Sequence, residues 1–77
     1  MKTLEQVKSE VDLDRFYRPR EIANNRWMIE YQGNDSYYYI LKLIKVGRLK
    51  ARNFGLGKTN FWKVTGREII KYLELII

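Results

Sequence analysis

Between Ser36 and Arg67 the chain carries eight cationic side chains, Lys42, Lys45, Arg48, Lys50, Arg52, Lys58, Lys63 and Arg67, and not one Asp or Glu. Elsewhere the charges nearly cancel: residues 1–17 hold three bases and four acids, residues 18–35 three of each, and residues 68–77 one base and two acids. The whole excess of +6 therefore comes from one continuous stretch. That distribution suits a surface that meets phosphates. Each Lys or Arg that neutralises a phosphate releases condensed counterions, and a carboxylate beside it would repel the backbone. The same stretch keeps Tyr37, Tyr38, Tyr39, Phe54, Phe61 and Trp62, so it is a packed part of the fold rather than a solvated tail.

Other chemistry is thin. The chain has no Cys and no His, which removes disulfides, thiolate and imidazole metal sites, and nucleophiles activated by histidine. No spacing of carboxylates suggests a metal or an acid–base pair, so the expectation is no catalytic residue, no metal, no cofactor and no enzyme. The amino end has a cation but no apolar core after it, and no apolar run reaches bilayer length. The expected location is cytoplasmic, with no membrane partner.

The elements that must position the cations are readable from local signals. Seventy-seven residues suffice for one small domain. Thr3-Leu4-Glu5-Gln6 has the form of a capping box, and Leu4, Val7 and Val11 follow at helical spacing, which predicts a packing helix over 3–11. Pro19 suits a first helical position, with Glu21 in the first turn. The helix it opens carries Ile22, Ala23 and then Trp27 or Ile29, and its end falls either at Asn25 or as late as Tyr31. Gln32-Gly33-Asn34 reads as a turn in which Gly33 takes positive φ, and Asp35 and Ser36 offer cap oxygens to a second helix, about Ser36 to Val46, stopped by Gly47. Ile40, Leu43, Ile44 and Gly47 share its inner face.

Arg48 to Phe54 and Asn60 to Val64 alternate basic or polar with apolar at period two, joined by Gly55-Leu56-Gly57-Lys58-Thr59, which predicts a basic β-hairpin. Phe54, Trp62 and Val64 are expected partly against helices. Thr65 and Glu68 form a second capping-box pattern, opening a last helix with a stripe of Ile69, Ile70, Leu73 and Ile76 or Ile77. The predicted fold class is α+β, mostly α: a small winged helix-turn-helix with a two-stranded hairpin wing and a closing helix. Residues 1–16 form a helical extension and residues 17–75 the core.

The stretches Tyr17-Arg18-Pro19-Arg20-Glu21-Ile22-Ala23, Ser36 to Ala51 with its Gly47-Arg48-Leu49-Lys50-Ala51 run, and Trp62 to Leu73 together resemble the excisionase family of MerR-like small winged-helix DNA-binding proteins. Three departures stand out. Arg18 occupies a cap position where the family usually offers Ser or Thr, the step from Ala23 to Ser36 is longer than the family's turn, and three consecutive tyrosines open the second helix. The resemblance implies a protein that binds double-stranded DNA without cutting it. It implies a recombination directionality factor of a phage or mobile element working beside an integrase or other recombinase, or a small transcriptional regulator such as a repressor. Within the family frame, no effector-sensing segment is expected after the last helix.

On charge and resemblance together, the second helix is expected in the major groove, with Ser36, Tyr37, Tyr38, Lys42 and Lys45 near the DNA and Arg20 beside them. Ser36 is equally suited to capping the helix, and Tyr37 and Tyr38 to packing. In the wing, Lys58 at the tip is the expected minor-groove or phosphate contact, with Gly55 and Gly57 allowing close approach. Arg48, Lys50, Arg52, Asn60 and Lys63 add contacts that fix register. Two rival readings stay open. The apolar ending Leu73 to Ile77 suits a protein-interaction module or self-association on DNA through the wing or last helix, and an RNA partner shares the electrostatics.

Overall fold

In the computed structural model, residues 2–77 are described. Thr3 opens helix α1 (Leu4–Glu10) with the reciprocal cap its neighbours predict: its hydroxyl accepts the Gln6 N–H, and the Gln6 side chain accepts the Thr3 N–H. Val7 and Val11 face the core, with Leu4 half-buried beside them. A two-residue strand follows, β1 (Phe16–Tyr17).

Pro19 begins α2 (Pro19–Asn24). Arg18 has no acceptor to offer, so Glu21 alone closes this end, its Oε1 accepting the Arg18 N–H at 3.1 Å. At the other end the Trp27 N–H donates to the Ile22 carbonyl and the Arg26 N–H to the Ala23 carbonyl. This closure needs one residue in the left-handed region, and Arg26 fills it at φ 57°. The positive φ therefore falls at Arg26 rather than at Gly33, and the helix stops well short of Tyr31. Ile22 and Trp27, joined by that backbone bond, are both buried.

Residues 25–36 form an irregular loop pinned by its side chains. Trp27 and Met28 are buried in the core, Trp27 donates to Glu10 Oε1 at 3.0 Å, and its ring meets the Tyr17 ring edge-on at 4.8 Å. Helix α3 (Tyr37–Lys45) then buries Ile40 and Leu43. It ends as α2 does, with the Arg48 N–H on the Leu43 carbonyl and the Gly47 N–H on Ile44, and here the left-handed position holds glycine at φ 81°.

Strands β2 (Arg52–Asn53) and β3 (Trp62–Thr65) pair antiparallel, Arg52 opposite Lys63 and Asn53 opposite Trp62. The predicted hairpin is present with short strands, but the sheet has a third member. β1 pairs with the other edge of β3, Phe16 opposite Thr65 and Tyr17 opposite Val64, giving the order β1-β3-β2. Period two survives beyond the ladder: Leu49 is buried and Ala51 half-buried, while Arg48, Lys50 and Arg52 point outward. Helix α4 (Gly66–Ile76) is capped by the Thr65 hydroxyl, which accepts the Glu68 N–H, and by loop carbonyls of Arg15 and Leu13 on the next two amides. Its buried face is Ile69, Ile70, Tyr72 and Leu73. The stripe does not continue to Ile76 and Ile77, which are exposed. The result is a mostly helical α+β fold with four helices and a three-stranded antiparallel sheet. No helix among the described residues is long and apolar enough to cross a membrane.

Candidate nucleic-acid interface

Burying Ile40 and Leu43 turns the opposite side of α3 outward, and 3.6 residues per turn then dictate what stands there. Tyr38, Lys42 and Lys45 follow one another at i, i+4 and i+7, all exposed, Tyr38 at 77%. The two lysines lie in the last turn, where the free carbonyls of the helix favour cations. Ser36 does not join this face. It is buried, and its hydroxyl makes no cap bond. Asp35 does that work instead, its Oδ1 accepting the Tyr37 N–H at 3.0 Å.

Tyr37 occupies the flank of α3 turned toward the hairpin. The Arg20 guanidinium lies 4.0 Å from its ring centre, and Arg20 also pairs with Asp35 at 3.1 Å. The Tyr37 N–H and the Arg20 guanidinium hold the Asp35 carboxyl below its ordinary range. Between this flank and the hairpin runs a groove of about 370 Å³, lined by Arg18, Arg20, Tyr37 and Leu41 on one side and by Asn60, Phe61 and Trp62 on the other. Arg20, Tyr37 and Asn60 are thus brought together in one groove, with the outward face of α3 beside it.

The hairpin tip is built by its own bonds. Asn53 Oδ1 accepts the N–H groups of Gly55 and Phe61, both at 2.9 Å, and its amide donates to Asn60 Oδ1 at 3.0 Å. A side chain at Gly55 would collide with the Thr59 carbonyl, so the loop's close approach to itself needs glycine there. Gly57 takes φ 63°, and Lys58 beside it is exposed. Arg52 and Lys63, paired across the strands, project from the outer face of the sheet. Phe54 lies there too. It is exposed and meets the Phe16 ring edge-on at 5.3 Å, instead of packing on helices as its strand pattern suggested; of the three residues expected inward, Trp62 is half-buried and Val64 fully buried. Arg48 and Lys50 are exposed on the link from α3 to β2.

The ion pairs fall almost entirely outside the acid-free run. They join Lys2 to Glu10, Lys8 to Glu74, Arg15 to Glu21, Arg20 to Asp35 and Arg67 to Asp14. Of the eight cations in the run only Arg67 is paired, leaving seven without a carboxylate partner among the described residues.

Three features escape a reading of the sequence. Arg18 lies 4.6 Å over the Phe61 ring, Phe16 joins the outer sheet face, and Glu30 anchors the loop of residues 25–36. Glu30 Oε2 accepts from the Tyr39 hydroxyl at 2.6 Å and the Tyr72 hydroxyl at 2.8 Å, tying the loop to α3 and α4. Burial first, and then these bonds, raise both phenols above their ordinary value. Tyr39 is therefore held in the packed part of the fold. Strand parity would have placed Phe54 and Phe61 beside Arg52 and Lys63 had the register been known; nothing local marks Glu30. Comparison with family models, curated proteins and solved structures returns no match for the chain.

Proposed function

We propose that the protein binds duplex DNA as a small winged-helix protein, with α3 in the major groove and the β2–β3 hairpin as a wing on the flanking backbone. The observation that carries this reading is the set of seven unpaired cations, which sit on α3, on the hairpin and on the link between them. An α-helix with its side chains is about 10–12 Å across, a size that a major groove about 12 Å wide admits. Lys45, Arg48, Lys50, Arg52, Lys58 and Lys63 take phosphates, Lys42 takes a phosphate or a guanine edge, and Tyr38 one turn before it reads base edges.

Within that reading the excisionase resemblance favours a recombination directionality factor of a mobile element over a repressor, with an integrase or other recombinase as protein partner. Exposed Leu75, Ile76 and Ile77, the last at 64%, favour self-association of copies along DNA. The test is selection of duplexes from a random pool by the purified protein at two salt concentrations. Recovery of one motif, repeated at a fixed spacing, is the expected result. Retention that is sequence-blind and lost at moderate salt would reduce the basic surface to a non-specific adhesive and sink the proposal of specific recognition.

A further inference from the structure

The outer face of the sheet carries three phenylalanines that the fold does not use as core. Tyr17, Trp62 and Val64 point inward, so antiparallel pairing sends Phe16, Phe54, Phe61, Arg52 and Lys63 to the other side. A solvent-facing sheet surface is ordinarily polar. Here Phe16, Phe54 and Phe61 are 37%, 44% and 36% exposed as residues, and each ring has a cation against it. Arg52 lies over Phe16 at 6.0 Å, Lys63 over Phe54 and Phe61 at 5.2 and 5.3 Å, and Arg18 over Phe61 at 4.6 Å. None of these three cations has a carboxylate partner among the described residues. Glu68 borders the face only at the Phe16 end, beside Lys50 and Arg52.

We infer that this face is a second nucleic-acid surface, which takes the unpaired bases of a single strand by stacking on Phe54, Phe61 and Phe16 while Arg18, Arg52 and Lys63 hold its phosphates. The duplex reading shares Arg52 and Lys63 with this face but makes no use of the phenylalanine rings, so the rings alone separate the two readings. Bases inside a duplex already stack on one another and have no face to give a ring. A single strand exposes those faces, and aromatic platforms flanked by cations recognise them without sequence preference. The long Lys63 and Arg52 side chains shield the rings in the free protein and swing to phosphates when bases replace them. Phe61 and Arg18 also line the groove beside α3, so a strand on this face continues into that groove.

The experiment is a fluorescence-anisotropy titration of a labelled oligothymidine about ten nucleotides long, a length within the span of single-strand platforms. It is run in low salt with the wild type, Phe54→Leu and Phe54→Tyr, and the same proteins are titrated with a duplex. Phe54→Leu keeps an apolar side chain and removes the π-face, so single-strand affinity falls about tenfold while Phe54→Tyr stays near wild type. Duplex affinity stays the same in all three. Proton NMR of the wild type with the oligomer supplies a reading that needs no variant: the ring protons of Phe16, Phe54 and Phe61 move upfield as bases stack on them. Unchanged single-strand affinity in Phe54→Leu, ring protons that stay in place, or absence of single-strand binding while the duplex binds would each overturn the inference.

Discussion

Replacing Lys58 by Ala removes one of the seven cations without a carboxylate partner among the described residues, and disturbs no packed side chain, because Lys58 is exposed at the hairpin tip. Lys8 is its natural control. It lies on α1, pairs with Glu74 at 3.1 Å, and its loss changes the net charge by the same single unit. In the salt dependence of duplex binding each neutralised phosphate contributes a slope of about −0.9 in log K against log salt. If all seven cations engage, the slope is about −6, and affinity falls by roughly four orders of magnitude between 50 and 200 mM salt. Lys58→Ala should make the slope shallower by about 0.9, a difference of about threefold over that salt range. Lys8→Ala should leave the slope alone, since charges farther away than a screening length of about 10 Å act weakly at 0.1 M. Anisotropy titrations of one labelled duplex at four or more salt concentrations resolve the difference. Equal changes in the two variants would mean that net charge, not placement, drives binding, and would refute the assignment of the hairpin tip to the interface.

Other consequences concern the frame that holds this surface. Arg26→Gly relieves a side chain held at positive φ and should stabilise the protein by about 1 kcal/mol in urea unfolding, whereas a loss would mean the arginine makes contacts that outweigh the strain. Gly66→Ala drives a Cβ into the Asp12 carbonyl and the Val11 side chain, and should cost about 1–3 kcal/mol in the same assay; a neutral effect would contradict the close approach of α4 to the loop after α1. The phenols of Tyr39 and Tyr72 are raised above 10.0, so the unfolded chain loses those protons at a lower pH than the folded one. Their contribution is whole below pH 10 and declines as pH rises beyond it. Tyr72→Phe should flatten that alkaline decline in unfolding measured across pH 10, and an unchanged profile would remove the tyrosine cluster from the account.

Where a helix starts or stops on a local signal, the sequence was sufficient. Thr3, Gly47 and Thr65 each bond an amide or carbonyl within a few residues, Pro19 suits a first helical position by its fixed φ and missing N–H, and all four boundaries fall beside them. β1 was invisible for the opposite reason. Two residues show no period, and Phe16 acquires its strand geometry only from Thr65, far along the chain. The loop after α2 was equally unreadable, because tertiary burial of Trp27 and Met28 and the Glu30 bonds to Tyr39 and Tyr72 shape it. At the site, charge located the cations well, since exposed Lys and Arg need no partner to stay outside. Ser36 and Phe54 were misplaced by local pattern. Asp35 took the capping bond that would have made Ser36 useful, and a register set by Asn53 and the hairpin loop turned Phe54 to the outer face.

The most direct test of the central claim is amide chemical-shift mapping on isotopically labelled protein titrated with a duplex taken from the random-pool selection. The account predicts that the largest changes cluster on Tyr37–Lys45, on Arg48 to Arg52 and on the hairpin through Lys63, with α1 and the far end of α4 almost unmoved. Changes centred on α1 or α4, with α3 and the hairpin silent, would contradict it.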